Sequence, residues 1–302
     1  MKVFITGGSG FVGGFLTKKL TEQGHEVTIL TRGIKQAKTL PKGASFLEGD
    51  PTQPGPWQNS VSQHDVVINL AGASIFQRWT CKTKQEIVES RILTTTHVAE
   101  ALSHRKGKET HLLSTSAVGY YGFHGDESLN EEDQPGDDFL AQLAQSWESA
   151  ALKAKEYGAR VVLCRFGIVM GRQGGALANL VSVFNKYLGA PLGTGKQWVS
   201  WIHEQDLANI FLFLLEHKEL QGPVNCTSPY PVRNKDLTKI LGEVLKKPTL
   251  FPPVPEFMLR ILLGEFAKVL VKGQKVIPKK LSESGYQFRF PTLKEALQDL
   301  LT

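Results

Sequence analysis

"KVFITGGSGFVGG", Lys2 to Gly14, is a short apolar run that breaks into glycines and resumes as a helical pattern. The run has strand length, and the helix that follows reads from Phe11 to Gln23. Between them Gly7, Gly10 and Gly13 stand in the spacing G-x-x-G-x-x-G. Glycines at such a junction let the turn close and let the backbone approach a pyrophosphate, whose charge then meets the first amides of the helix. A glycine pattern alone is also what a plain turn offers. The strand before it and the helix after it make it a dinucleotide site, contributed by Gly7, Ser9, Gly10, Phe11, Val12 and Gly13.

The same alternation continues outward. "EVTIL", "ASFLEG", "DVVINLAG", "THLLSTS" and "ARVVLCRFGIV" are short apolar runs, interleaved with helical patterns over Lys84 to Leu102 and Ala141 to Gly158. The runs are continuously apolar rather than alternating, as in strands covered on both faces. The expected fold class is α/β, a Rossmann doubly wound parallel sheet with a smaller C-terminal domain on the substrate side. The expected division is residues 1–170 for the first domain and 171–302 for the second. The segment around 200–226, with "WIHEQDLANIFLFLLEH", returns to the first. Two further helical stretches are read in the second part.

The 302 residues carry 35 Lys and Arg against 29 Asp and Glu, a formal charge of +6. That balance favours anionic small molecules, and without a long basic run or interleaved aromatics it argues against nucleic acid. Cys81, Cys164 and Cys226 fit neither a disulfide framework nor metal-ligand spacing, so a reducing, cytoplasmic setting and no metal are expected. No apolar run reaches membrane-spanning length, and a strand beginning at Lys2 leaves no room for a signal peptide. The oligomeric state is not legible.

The second strand decides which dinucleotide. An acidic residue at its end would bond the ribose 2′-hydroxyl of NAD. Here Thr31 and Arg32 stand in that place, with Lys35 nearby. A guanidinium pairs with a 2′-phosphate that a carboxylate would repel, so the expected cofactor is NADP.

"TGGSGFVG", "INLAGA", "STSAVGYYG" and "RFGIVMG", in this order, resemble the extended and atypical short-chain dehydrogenase/reductases. "WESAAL", "GTGKQWVSWIHEQDLA" and the C-terminal "LLGEFAKVLVKGQKVIPKKLSESGYQFRFPTLKEAL" narrow the resemblance to the YfcH-like group of epimerase-family proteins, over essentially the whole chain. The resemblance implies cofactor contacts at Leu70, Ala71 and Gly72 after the fourth strand, and at Asp50 near the adenine. It also implies contacts at Arg91 and, more weakly, Glu86 on the following helix, and at Val169 beside the nicotinamide. Asp50 could equally serve as a turn residue, and Glu86 as an exposed helix charge.

The resemblance further implies a Ser or Thr paired with a Tyr-x-x-x-Lys helix. Residues four apart share a helix face, where the ammonium lowers the phenol's pKa. "AQLAQSWESAALKAKEYG", Ala141 to Gly158, is that helix by position, yet it places Leu143 and Trp147 on its apolar stripe. No tyrosine in the chain is followed four residues later by lysine. The remaining catalytic candidates are Ser116, Tyr120 and Tyr121, with His203 read as structural. Arg172, Lys196, Gln197, Lys272, Gln274 and Lys275 in second-domain loops suit an anionic or sugar-like substrate. Two functions follow: an NADP-dependent oxidoreductase or epimerase using another proton donor, or a non-catalytic NADP(H)-binding redox sensor. Cell-division roles ascribed to some members of the group keep the second open.

Overall fold

The computed structural model describes residues 1–33, 40–105 and 109–302. Lys35 lies outside the described residues. The chain runs β1 (Lys2–Thr6), α1 (Phe11–Glu22), β2 (Glu26–Thr31), β3 (Ala44–Glu48), α2 (Trp57–Val61), β4 (Val66–Asn69), α3 (Cys81–Leu102), β5 (Thr110–Ala117), β6 (Ser128–Leu129), α4 (Phe139–Leu152), β7 (Ala159–Phe166) and β8 (Ile168–Gly171). It continues through α5 (Gly175–Asn185), β9 (Trp198–Val199), β10 (Trp201–His203), α6 (Glu204–Glu216), β11 (Gly222–Cys226) and β12 (Val232–Arg233). The last elements are α7 (Asn234–Leu245), α8 (Glu256–Leu263), α9 (Ala267–Val271), β13 (Lys275–Val276), α10 (Lys279–Glu283) and α11 (Leu293–Leu301).

Seven strands form one parallel sheet in the order β11-β7-β5-β4-β1-β2-β3. The order reverses between β1 and β4, and the crevice at the carboxyl ends of those two strands is where ligands bind in open α/β sheets. Side chains alternate across the sheet. Val3 and Ile5 share a core with Leu16 and Leu20 of α1 and Leu207 and Phe211 of α6. Phe4, between them, joins Trp57, Val98, Leu102 and Leu112 on the other face. Burying each such side chain contributes about 1.5–3 kcal/mol, which is why the strands read as unbroken apolar runs.

The stretch "ARVVLCRFGIV" is two strands rather than one. A Cβ on Gly167 would sit 2.7 Å from the Ser200 carbonyl oxygen, so the chain passes close to another backbone there. β8 then leaves the sheet and pairs in parallel with β10, Val169 opposite Ile202. Beyond residue 171, α5, α7 and α11 close a further core around Phe184, Trp201, Leu241 and Leu297. α6 packs on α1, and β11 pairs with β7 at the sheet's edge. Among the described residues no helix is long and apolar enough to cross a membrane, and no cluster of His, Cys, Asp and Glu could hold a metal ion.

α4 begins where Asp138 Oδ1 accepts from the amides of Leu140 and Ala141, at 2.8 and 3.2 Å. It ends at Leu152. A 3-10 turn over Lys153–Tyr157 carries the chain to Gly158, which takes the left-handed conformation at φ 79°. α3 starts three residues earlier than its apolar periodicity implies, because the Thr80 hydroxyl accepts from the Thr83 amide.

Candidate functional site

The turn after β1 is built by close backbone contact. Gly7 has φ +69°, and a Cβ there would lie 2.8 Å from the amide nitrogen of Ala71 and the carbonyl carbon of Leu70. A Cβ on Gly13 would lie 2.4 Å from the Gly8 Cα, so the first turn of α1 rests on the loop. The α1 N-terminus has no side-chain cap and no acidic residue in its first turn, which leaves its leading amides unmatched. Ser9 and Gly10 are exposed beside them. Phe11 and Val12 turn their side chains away from this turn. The Phe11 ring lies where Cβ atoms on Gly171 and Gly174 would fall, at 2.3 and 2.7 Å, and Val12 packs on the core.

The loop after β4 brings an arginine to this cradle. A Cβ on Gly72 would lie 3.0 Å from Arg91 Cζ. Arg91 donates to the Ile87 carbonyl at 3.0 Å, and its guanidinium lies 5.1 Å from the Trp147 ring centroid. It makes no ion pair among the described residues. Burial alone draws its pKa down to about 10. A half-buried cation without a counter-charge is costly unless an anion joins it. Trp147 in turn donates to Thr95 Oγ1 at 2.8 Å. Asn69 donates to the same hydroxyl at 2.8 Å and accepts from Thr6 at 2.6 Å. Trp147, on the helix that by position is the slot of the Tyr and Lys, thus ties α4, α3, β4 and β1 together.

Ser116 sits opposite Arg165 in the β5–β7 register, so both side chains leave the sheet on one face. Ser116 Oγ donates to Glu148 Oε1 at 2.7 Å. Arg165 donates from Nε to Glu148 Oε1 at 2.8 Å and from the guanidinium terminus to Oε2 at 2.9 Å. Ser116, Glu148 and Arg165 are 1%, 6% and 3% exposed. Burial opposes the charge on Arg165, but the two bonds from Glu148 more than offset it and hold the guanidinium's pKa above its usual value.

Tyr121 belongs to the same network. It is fully buried, accepts from Arg165 at 2.9 Å and donates to Asn225 Oδ1 at 2.8 Å. Burial pushes its pKa up to about 12, despite Arg165 beside it. Tyr120 is half-buried, and the Arg165 guanidinium lies 3.4 Å from its ring centroid. Its hydroxyl has no hydrogen-bond partner among the described residues.

The other expected residues are dispersed. Thr31 ends β2, and Arg32 follows it exposed, without an ion pair among the described residues. Asp50 accepts from the amide and hydroxyl of Thr52, at 2.9 and 2.8 Å, and so closes its own turn. Glu86 is exposed on α3. Val169 is half-buried in β8. His203 is fully buried and caps α6 by accepting from the Gln205 amide at 3.0 Å. Its Nε2 lies 3.3 Å from Asp299 Oδ2, yet burial draws its pKa down to about 4. Gln197 and Gln274 spend their side-chain amides on the carbonyls of Leu192, Leu270 and Val118, so they pin loops rather than face a ligand. Glu148 and Asn225 are absent from the sequence reading. Arg165 had a signal, a cation inside the apolar strand "VVLCRF", because a charge there needs a buried partner.

The sheet order, the glycine turn and the helix geometry define a Rossmann-type short-chain dehydrogenase/reductase fold. Residues 3–226 match the NAD dependent epimerase/dehydratase family, and residues 254–300 match a domain of unknown function, DUF1731. The chain belongs to that epimerase/dehydratase family. It is 38% identical, over all of its length and 87% of the relative's, to the Epimerase family protein SDR39U1 homolog, chloroplastic, of Arabidopsis thaliana. It is 39% identical to Epimerase family protein YfhF of Bacillus subtilis, over 100% of this chain and 98% of that one. The crystal structure of human epimerase family protein SDR39U1 (isoform 2) with NADPH superposes with TM-score 0.85 at 32% identity, covering 99% of each chain.

Proposed function

We propose that the protein binds NADP(H) and uses it for oxidoreductase or epimerase chemistry on a small molecule. The observation that carries the reading is the unpaired guanidinium of Arg91 against Gly72. It faces the loop that the glycine turn touches, and so places positive charge where a pyrophosphate would lie. The open amides of α1 suit the pyrophosphate, and the exposed Arg32 at the end of β2 supports the choice of the 2′-phosphorylated form. The human relative crystallised with NADPH supports it independently. The cradle fits the cofactor sterically, since Gly7 and Gly13 have no room for a side chain. Three free cysteines support a reducing compartment such as the cytoplasm.

When bound, the cofactor supplies or accepts a hydride. The chain's own part is to hold the substrate oxygen and its proton. Ser116 donates its hydrogen bond to Glu148, so its lone pairs are free to accept from a substrate hydroxyl. Arg165 pairs with Glu148 and stacks on Tyr120, whose phenol serves as the proton donor or acceptor. A second reading, a non-catalytic redox sensor, draws support from Leu143 and Trp147 in the slot of the missing Tyr and Lys.

Fluorescence titration with NADPH and NADH tests the cofactor. NADPH binds tighter, Arg32→Ala erases the preference, and Arg91→Met weakens both by about tenfold or more. Absence of NADPH binding, or an Arg32→Ala variant with unchanged preference, sinks the reading. Turnover of NADPH against a carbonyl panel separates the two functions. The enzyme reading requires activity that falls in both Ser116→Ala and Tyr120→Phe.

A further inference from the structure

A cavity of about 240 Å³ opens between the loop after β4, the segment after Ser116, the start of α4 and α9. Five of its eight lining residues are apolar: Trp79, Phe123, Phe139, Leu140 and Val269. Trp79 and Phe139 meet edge to face, with centroids 5.1 Å apart. The Trp79 indole N–H is spent on the Ile75 carbonyl at 3.0 Å, so the ring offers the cavity only its apolar surface. Leu140 ties the cavity to the candidate site. Its Cβ lies 3.2 Å from where a Cβ on Gly119 would fall, and Gly119 is three residues past Ser116.

The three charged lining residues are not equivalent. Asp138 accepts from the first amides of α4, and Glu265 is paired with Lys84. Lys268 has no ion pair among the described residues, and Lys272 stands 5.7 Å from the Phe123 ring centroid. Around the cavity the three cations Lys84, Lys268 and Lys272 stand against the two carboxylates Asp138 and Glu265, an excess of one positive charge. The volume falls below the roughly 300–1,000 Å³ of sites for drug-sized ligands, and a nucleoside diphosphate sugar is larger than such ligands.

We infer that this cavity takes the molecule acted on beside Ser116, and that this molecule is flat, largely apolar, of one or two rings, and acidic. It is not a nucleoside diphosphate sugar. The rings lie against Phe123, Phe139 and Trp79, and the acidic group meets Lys268. The inference rests on the placement of the reaction beside Ser116 under the proposed function.

The test is calorimetric titration of the protein, with and without NADPH, using 2-naphthoate, neutral 2-naphthylmethanol and UDP-glucose. 2-Naphthoate binds saturably at one site in both states. It binds about tenfold more weakly to Phe123→Ala and several-fold more weakly to Lys268→Glu, with 2-naphthylmethanol weaker than 2-naphthoate. Leu262→Lys, on the exposed face of α8, leaves the affinity unchanged and rules out adsorption to that helix. Thermal melting confirms that each variant folds. The inference is overturned by tighter binding of UDP-glucose, by displacement of NADPH by 2-naphthoate, or by variants that bind as the parent does. Loss of NADPH binding is a separate failure, because the titration of free protein still decides this one.

Discussion

Two arginines withdrawn from solvent, Arg165 and Arg91, meet the neighbouring α4 residues Glu148 and Trp147 and are treated in opposite ways. Arg165 meets Glu148 through two hydrogen bonds and Tyr121 through a third, and its charge is fully matched. Arg91 receives a carbonyl and the face of an indole, and no carboxylate. A matched buried ion pair holds geometry, while an unmatched one marks the place a ligand charge is expected. The first arginine orders Ser116 and Tyr120, and under the proposed function the second is where the cofactor's charge would sit.

Breaking the matched side has the largest effect. Glu148→Ala leaves the Arg165 guanidinium buried without its counter-charge, at a cost of about 3–5 kcal/mol in chemical denaturation. The double variant Glu148→Leu/Arg165→Met recovers most of that loss, since no lone charge remains. If Glu148→Ala costs no more than a surface substitution, the network is not the buried unit described above.

His203 sharpens the comparison with a proton in place of a counter-ion. Its folded pKa lies near 4, against about 6.5 when unfolded, because burial disfavours the cation. Between those values the unfolded chain binds a proton that the folded chain does not. Stability present above pH 6.5 is therefore lost as pH falls through that window, by about 3 kcal/mol in all. His203→Gln, which keeps an acceptor at the α6 cap, flattens that part of the curve. A parent and variant with parallel pH profiles would refute this account.

On the unmatched side, Arg91→Met lowers NADPH affinity by about tenfold or more yet leaves the free protein as stable as before, within about 0.5 kcal/mol. That split between binding and stability is the reverse of what Glu148→Ala produces. Equal losses in both would make Arg91 a structural residue.

The contrast also explains what was legible in the sequence. Strand positions and the glycine turn were readable because backbone demands appear directly as residue type: apolar runs for a sheet covered twice, glycine where Ala71 and Gly8 crowd the chain. The short helices α8, α9 and α10 were not, because five to eight residues between prolines and glycines carry too few turns for a period to show. A motif alone gives Asp50 and Tyr121 their place, while their hydrogen-bond partners, Thr52 for the one and Arg165 and Asn225 for the other, appear only in the fold. Glu148 escaped because its partners lie 32 and 17 residues away in the chain, and only the β5–β7 register brings them together. Cys164 and Cys226 look unrelated in sequence, yet they are buried neighbours across β7 and β11. Burial first, and Cys164 next, push the Cys226 thiol pKa upward.

The smallest effect tests the helix slot itself. Trp147 lies on the inward stripe of the helix that is the slot for the Tyr and Lys, and it supports both arginine environments, since its ring faces Arg91 and its own helix carries Glu148. Trp147→Phe keeps an aromatic face but removes the N–H bonded to Thr95, leaving that hydroxyl with the Asn69 amide alone. The expected loss is about 1 kcal/mol of stability, the worth of one hydrogen bond, with a change of less than about threefold in NADPH affinity. Trp147→Lys separates packing from chemistry. It places a second cation beside Arg91, where like charges repel, and weakens the fold more than Trp147→Phe does. If the lysine variant is instead as stable as the parent, the indole is not what holds α4 to α3, and the slot is a dispensable remnant of the Tyr-x-x-x-Lys pattern.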